Sequence, residues 1–388
     1  MYLLAIAAIV FAVSLLFSLL LVPLFKKLSF RLNALDIPDK RKTHSRPTPL
    51  LGGVAIYLSF SLVILASLLV IYFFLAGSSA TRVLTITIPN VLRVYARNLH
   101  ENSLIIEKIA IIFGGGVLIL LIGLFDDFKN LSVMARFAAE IIVATAVVWL
   151  GIKPELYIFP PEVVGIITVF WIVGITNSFN LLDGMDGLAA GVGFIAAGIL
   201  AFVMATNDQP LVALLLCAFA GSLLGFLRHN FHPASIFMGS SGSMFIGYML
   251  SVSVLVGTFM KEGERNTIPI IMPILILGVP LYDTFSVILI RLKNKKPITK
   301  ADKNHVAHRL FRLGLTQKQA VLFIYLMTFC IGNNATLLGS ASLLGNTTFG
   351  SFVILVQIAA TFGIIIILER VNLLSKRTKK KKEKDGSS

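Results

Sequence analysis

Residues 109–127 read Ile109-Ala110-Ile111-Ile112-Phe113-Gly114-Gly115-Gly116-Val117-Leu118-Ile119-Leu120-Leu121-Ile122-Gly123-Leu124-Phe125-Asp126-Asp127. The uncharged run is long enough for an α-helix to cross the hydrocarbon core of a bilayer. Two carboxylates follow it at once. Charge near hydrocarbon is costly and marks functional positions. An acid at a helix C-terminus also opposes the macrodipole, which disfavours a merely solvated helix end. Adjacent acids cannot both point one way, so one is read as meeting a metal and the other a substrate.

The same pattern recurs along the chain. Its 388 residues are 56% hydrophobic and 14% charged, against about 25% charged in soluble domains. The class is therefore an all-α, polytopic membrane bundle. Eleven apolar spans are predicted, near 3–25, 50–76, 109–125, 133–150, 163–179, 188–206, 210–227, 237–258, 268–290, 319–335 and 348–369. Several are interrupted by Gly or Pro, so the expected helix count is ten to eleven. No small-residue cleavage site follows the first span, which reads as a membrane helix and not as a leader. Cys217 and Cys330 both lie in apolar runs, so no disulfide framework is expected.

Charge placement orients the bundle. With the N-terminus outside, the inner segments 26–49, 126–132, 180–187, 228–236, 291–318 and the tail from 370, with their span edges, hold 27 of the 34 Lys and Arg. The excess predicts an N-out, C-in topology. Residues 1–370 are read as one integral-membrane domain. Residues 371–388 are read as a basic, disordered tail on anionic headgroups. No nucleic-acid partner is expected. Five of the six His (His44, His229, His232, His305, His308) fall on the inner side with every chemically suggestive motif. A transporter would place polar groups near the midplane. Polar residues gathered at one surface favour an enzyme that joins a lipid headgroup to a cytosolic substrate.

Four further motifs carry chemistry. Asn177-Ser178-Phe179-Asn180-Leu181-Leu182-Asp183-Gly184-Met185-Asp186-Gly187-Leu188 places oxygen ligands three residues apart, on one face if the helix continues. Such ligands suit Mg²⁺, which keeps waters and takes one or two protein groups plus phosphate oxygens. The loop 36–53, with Lys42 and His44, reads as a phosphate-steering lining or as a topology signal. His305 and His308, followed by Arg309, suit a nucleotide diphosphate better than Zn²⁺, since no third ligand is at hand. Phe237-Met238-Gly239-Ser240-Ser241-Gly242-Ser243 is a helix start that either offers backbone N–H groups to phosphate or packs closely. Asp283, inside a span, should face protein or the site.

Together these motifs resemble the polyprenyl-phosphate N-acetylhexosamine-1-phosphate transferases, over Pro38 to Leu315. The loops Pro38-Asp39-x-Arg41-Lys42-x-His44 and His305-x-x-His308-Arg309-Leu310 look like the GlcNAc branch and differ from the MurNAc-pentapeptide transferases. The resemblance implies transfer of GlcNAc-1-phosphate from UDP-GlcNAc to undecaprenyl phosphate, with Mg²⁺ (or Mn²⁺ in its place), and is compatible with a homodimer. By carry-over, Asp126 and Asp127 meet the lipid phosphate and metal, and Asn180 is a metal ligand. Asp183 and Asp186 serve catalysis or hold uridine. Lys42, His44, Asn177, Asp186, His305, His308 and Arg309 bind substrate. The family pattern has a metal-binding Asp where this chain has Ser240, and often a Gln where it has Glu140. The alternatives are therefore another UDP-sugar, or a relative with impaired metal binding.

Overall fold

The computed structural model describes residues 2–38, 46–75, 103–154, 159–257, 271–297 and 304–343, with the isolated positions 356 and 363. Contacts divide the chain into two units, Met1–Lys261 and Glu262–Ser388. The first holds α1 (Tyr2–Arg31), α2 (Gly52–Leu75), α3 (Ser103–Lys129), α4 (Val133–Trp149), α5 (Pro161–Leu182), α6 (Leu188–Thr206), α7 (Pro210–Asn230) and α8 (Gly239–Val256). A two-residue antiparallel ladder pairs β1 (Leu35–Asp36) with β2 (Thr48–Pro49), matching Leu35 to Pro49.

Helix α8 is the hub, packed against α2, α3, α5 and α6. Of its apolar window 89% is buried, against 17% for α1. That difference explains the composition of α8. A helix wrapped by protein tolerates Ser241, Ser243, Ser251 and Ser253, all buried, and the hydroxyls of Ser241, Ser243 and Ser251 find partners inside. Lipid offers helices no hydrophobic gain on association, so close packing must hold them. A Cβ on Gly123 of α3 would lie 2.5 Å from Cα of Ser241, so the two backbones touch at that level. Phe60, Phe219 and Phe245 interlock beneath, with ring centroids 5.5–6.3 Å apart. Outward positions such as Leu4, Ile142 and Phe170 are exposed and suit lipid.

The second unit contains α9 (Met272–Ile276), α10 (Gly278–Lys293), α11 (Val306–Arg312) and α12 (Gln317–Leu343). The expected continuous span 268–290 is broken at Leu277, between α9 and α10. Pro280 explains the break. It lacks the N–H that would bond to the Ile276 carbonyl, and its ring crowds that group.

Among the described residues eight helices are long and apolar enough to cross a membrane, which makes this a multi-pass membrane protein. The predicted span 133–150 is a 17-residue helix and is not among these eight. The predicted span 348–369, the tail 371–388, and Lys42 with His44 lie outside the described residues. Both cysteines are free.

Candidate active site

The carboxylates gather at one end of the first unit because α3 and α5 end there and α8 begins there. Asp126 and Asp127 diverge, as adjacency requires. Asp127 turns to α8: its Oδ1 accepts from the Ser240 N–H at 2.7 Å and its Oδ2 from the Ser241 N–H at 3.1 Å. An acid that opposes its own helix dipole thus satisfies the positive end of another. Gly239 makes room for it. Its φ is +70°, and an added Cβ would lie 2.4 Å from Asp127 Oδ2. The expectation that this helix start could offer N–H groups to a phosphate needs correction: Asp127 already occupies those of Ser240 and Ser241.

Asp126 turns the other way, towards α4. Its Oδ1 accepts from the Leu131 N–H at 3.0 Å and its Oδ2 from Arg136 Nη1 at 3.1 Å. Arg136 Nε lies 3.7 Å from Glu140 Oε1, one helical turn on. Asn177 of α5 closes the chain, donating from Nδ2 to Glu140 Oε2. Asp126 and Glu140 are both buried. Buried carboxylates persist only when paired, and removing one partner of a buried pair is strongly destabilising. Arg136→Ala should therefore lower stability by about 3 kcal/mol, read as a fall in unfolding midpoint, with Arg136→Lys recovering part of it. Equal midpoints for Arg136→Ala and the parent would show that the network carries no such weight.

Helix α5 does continue past Asn180, and Asp183 is its C-cap residue. Asn177, Asn180 and Asp183 accordingly rise one above another at three-residue steps. Asn180 Oδ1 accepts from the Ser243 hydroxyl of α8 at 3.1 Å. Asp186 accepts from the Ala234 N–H at 3.1 Å and pairs through Oδ2 with His232 Nδ1 at 2.7 Å. Gly187, at φ +78°, donates its N–H to Asn230 Oδ1 at 3.0 Å, and Asn230 Nδ2 donates to the Ile236 carbonyl at 2.9 Å. The loop after α5 is thus fastened to the loop after α7.

Asp183 differs from its neighbours. Among the described residues no donor reaches its carboxylate, which feels the negative charges of Asp127 and Asp186. Burial, reinforced by those two charges, pushes its pKa up to about 8. Asp183 with the Asn180 carbonyl, beside Asp127, is the set that fits a divalent cation. Among the described residues no group of three His, Cys, Asp or Glu could hold a metal alone.

In the second unit, the buried Asp283 of α10 accepts from the Val306 N–H at 2.6 Å and lies 2.7 Å from His305 Nδ1. It caps α11 and orients the His305 ring, leaving Nε2 for another partner. The expectation that this intramembrane acid faces protein is met. Arg309 Nη2 donates to Ser286 Oγ at 2.7 Å, and its guanidinium lies 5.9 Å from the Tyr282 ring centroid. His305, His308 and Arg309 thus share one short helix start tethered to α10. Asp126, Asp127, Asn177, Asn180, Asp183, Asp186 and Ser240 assemble in the first unit.

Sequence reasoning missed Arg136 and His232 as site-holding residues. The first had a signal: Arg136 and Glu140 are one turn apart in an apolar run. The second had none, since His232 meets Asp186 only through the tertiary fold.

Comparison with known proteins places these residues in a family. Residues 109–258 match the glycosyl transferase family 4 model. The chain is 35% identical over 343 residues to a Bacillus subtilis protein named probable undecaprenyl-phosphate N-acetylglucosaminyl 1-phosphate transferase, covering 86% of each chain. It is 32% identical over 327 residues to a Mycolicibacterium smegmatis decaprenyl-phosphate N-acetylglucosaminephosphotransferase, covering 77% of this chain and 74% of the relative. A Bacillus anthracis phospho-N-acetylmuramoyl-pentapeptide-transferase is 26% identical, covering 85% and 95%. The matched segment runs from α3 through α8 and so encloses every carboxylate and amide of the first unit's site. With identity of this level over most of both chains, the protein belongs to glycosyl transferase family 4, the polyprenyl-phosphate N-acetylhexosamine-1-phosphate transferases.

Proposed function

We propose that this protein transfers GlcNAc-1-phosphate from UDP-GlcNAc to undecaprenyl phosphate on the cytoplasmic face of a bacterial membrane, releasing UMP. An oxygen of the lipid phosphate forms a bond to the β-phosphorus, and the bond from that phosphorus to the bridging oxygen breaks. UMP departs with the bridging oxygen. Such transfers depend on positioning and on neutralising phosphate charge more than on covalent help from the protein.

The observation that carries this reading is the uncompensated carboxylate of Asp183, flanked by Asp127 and Asp186 at the mouth of the bundle. Asp183, Asn180 and Asp127 would hold a Mg²⁺, which when bound would neutralise charge on the phosphate oxygens. Asp127 anchors α8 beside that place. Asp126, held by Arg136 at the same helix end, is the residue to meet the lipid phosphate. Asp186 and His232 hold the loop that carries Asp183. Within the second unit, His305, oriented by Asp283, and Arg309 carry N–H donors of the kind that bind a diphosphate.

Purified protein with labelled UDP-GlcNAc, undecaprenyl phosphate and Mg²⁺ should yield a lipid-linked sugar and UMP, and EDTA should stop both. Label appearing only with UDP-MurNAc-pentapeptide would move the protein to the activity named for the Bacillus anthracis relative. No product from any UDP-sugar would overturn the reading.

A further inference from the structure

Helices α1 and α7 pack side by side, pinned where Ser18 Oγ donates to the Ser222 carbonyl at 2.8 Å. Towards the carboxylate end of the bundle they part around a cavity of about 740 Å³. Its walls change character along the helices. Leu15, Leu19 and Leu224 line the deeper part, and Arg228, His229 and His232 line the end. Lys26 of α1 lies within electrostatic reach of His229, as does Arg228. Of these groups His232 meets a carboxylate, that of Asp186, whereas among the described residues none pairs with Lys26 or Arg228. His229 Nε2 is buried without a hydrogen-bond partner. Cations at the surface end of an apolar cleft match one kind of molecule, an amphiphile with an anionic head and hydrocarbon chains.

We propose that this cleft binds one anionic phospholipid. Arg228, Lys26 and His229 hold its phosphate, and its acyl chains run along Leu15, Leu19 and Leu224. A cavity of this volume is in the range of pockets that enclose whole small ligands, enough for a glycerophosphate head and the first chain carbons. The site is separate from the Asp183 centre yet adjoins it. His232 forms part of the cavity wall, and its Nδ1 is the group that holds Asp186.

The test uses the full-length protein in detergent, offered equimolar phosphatidylglycerol and phosphatidylcholine and read by native mass spectrometry. The parent should retain one phosphatidylglycerol in preference. Lys26→Gln with Arg228→Gln should weaken retention by roughly fivefold per cation, about 25-fold in all. Arg228→Lys, which keeps the charge and guards against a folding artefact, should retain it. Leu19→Trp, which narrows the apolar end without altering charge, should also weaken it. Equal retention of the two lipids by the parent, or no loss in the double variant, would overturn the proposal. So would displacement of phosphatidylglycerol by one equivalent of undecaprenyl phosphate, which would assign the cleft to the acceptor. None of these readouts depends on transfer activity.

Discussion

Ser240→Asp is expected to raise Mg²⁺-dependent turnover by roughly tenfold or more, a gain of at least about 1.4 kcal/mol. The physical ground is local. Ser240 is the second residue of α8, half-buried, and its N–H already meets Asp127 Oδ1 at 2.7 Å. A carboxylate there would stand next to Asp127 and the negatively crowded Asp183. Without a cation, a further like charge is unfavourable, eased only by the dipole of α8. With Mg²⁺ bound, the same charge becomes a ligand far better than a hydroxyl. Two readouts follow. In metal-free buffer the variant should unfold at a lower temperature than the parent. In Mg²⁺ the order should reverse, and turnover should rise. Equal turnover of variant and parent would show that Ser240 does not limit cation binding.

Asp183→Asn should reduce transfer by roughly a thousandfold, about 4 kcal/mol of barrier, while the protein gains stability in metal-free buffer. The sign of the second effect follows from linkage. The carboxyl of Asp183 titrates near 3.8 in an unfolded chain and near 8 in the folded one. Between those values the folded state holds a proton that the unfolded state has released. The parent's stability therefore falls as pH rises from about 4 to about 8, and the penalty is complete above that window. Part of the side chain remains open to solvent, so the penalty is smaller than full burial would impose. The amide carries no charge and removes this slope. A parent with the same pH dependence as Asp183→Asn would remove the claim that its charge is uncompensated. Near-normal turnover in the variant would take Asp183 out of the site.

These two residues show how unevenly the site could be read in advance. The three-residue steps from Asn177 to Asp183 and the acids closing the run 109–125 marked the candidate site, because helical periodicity and the cost of charge beside hydrocarbon are local facts. The fate of each acid was not local. Asp126 and Asp127 are neighbours in sequence, yet one is bound by Arg136 of α4 and the other by backbone N–H groups of α8. The span 268–290 shows a different shortfall: its hydropathy is continuous, but Pro280 interrupts the backbone ladder within it.

Taken alone, the order of residues determined the membrane class, nearly all the helices, the family and the cluster of oxygen ligands, since hydropathy and spacing act over a few turns. Only the tertiary structure decided which acids are neutralised and which one is left exposed to like charge. That depends on where helices distant in sequence end against one another. Asp186 finds His232 and Asp283 finds His305 only because folded loops bring them within hydrogen-bond reach, and Asp183 stands out because no donor among the described residues reaches it.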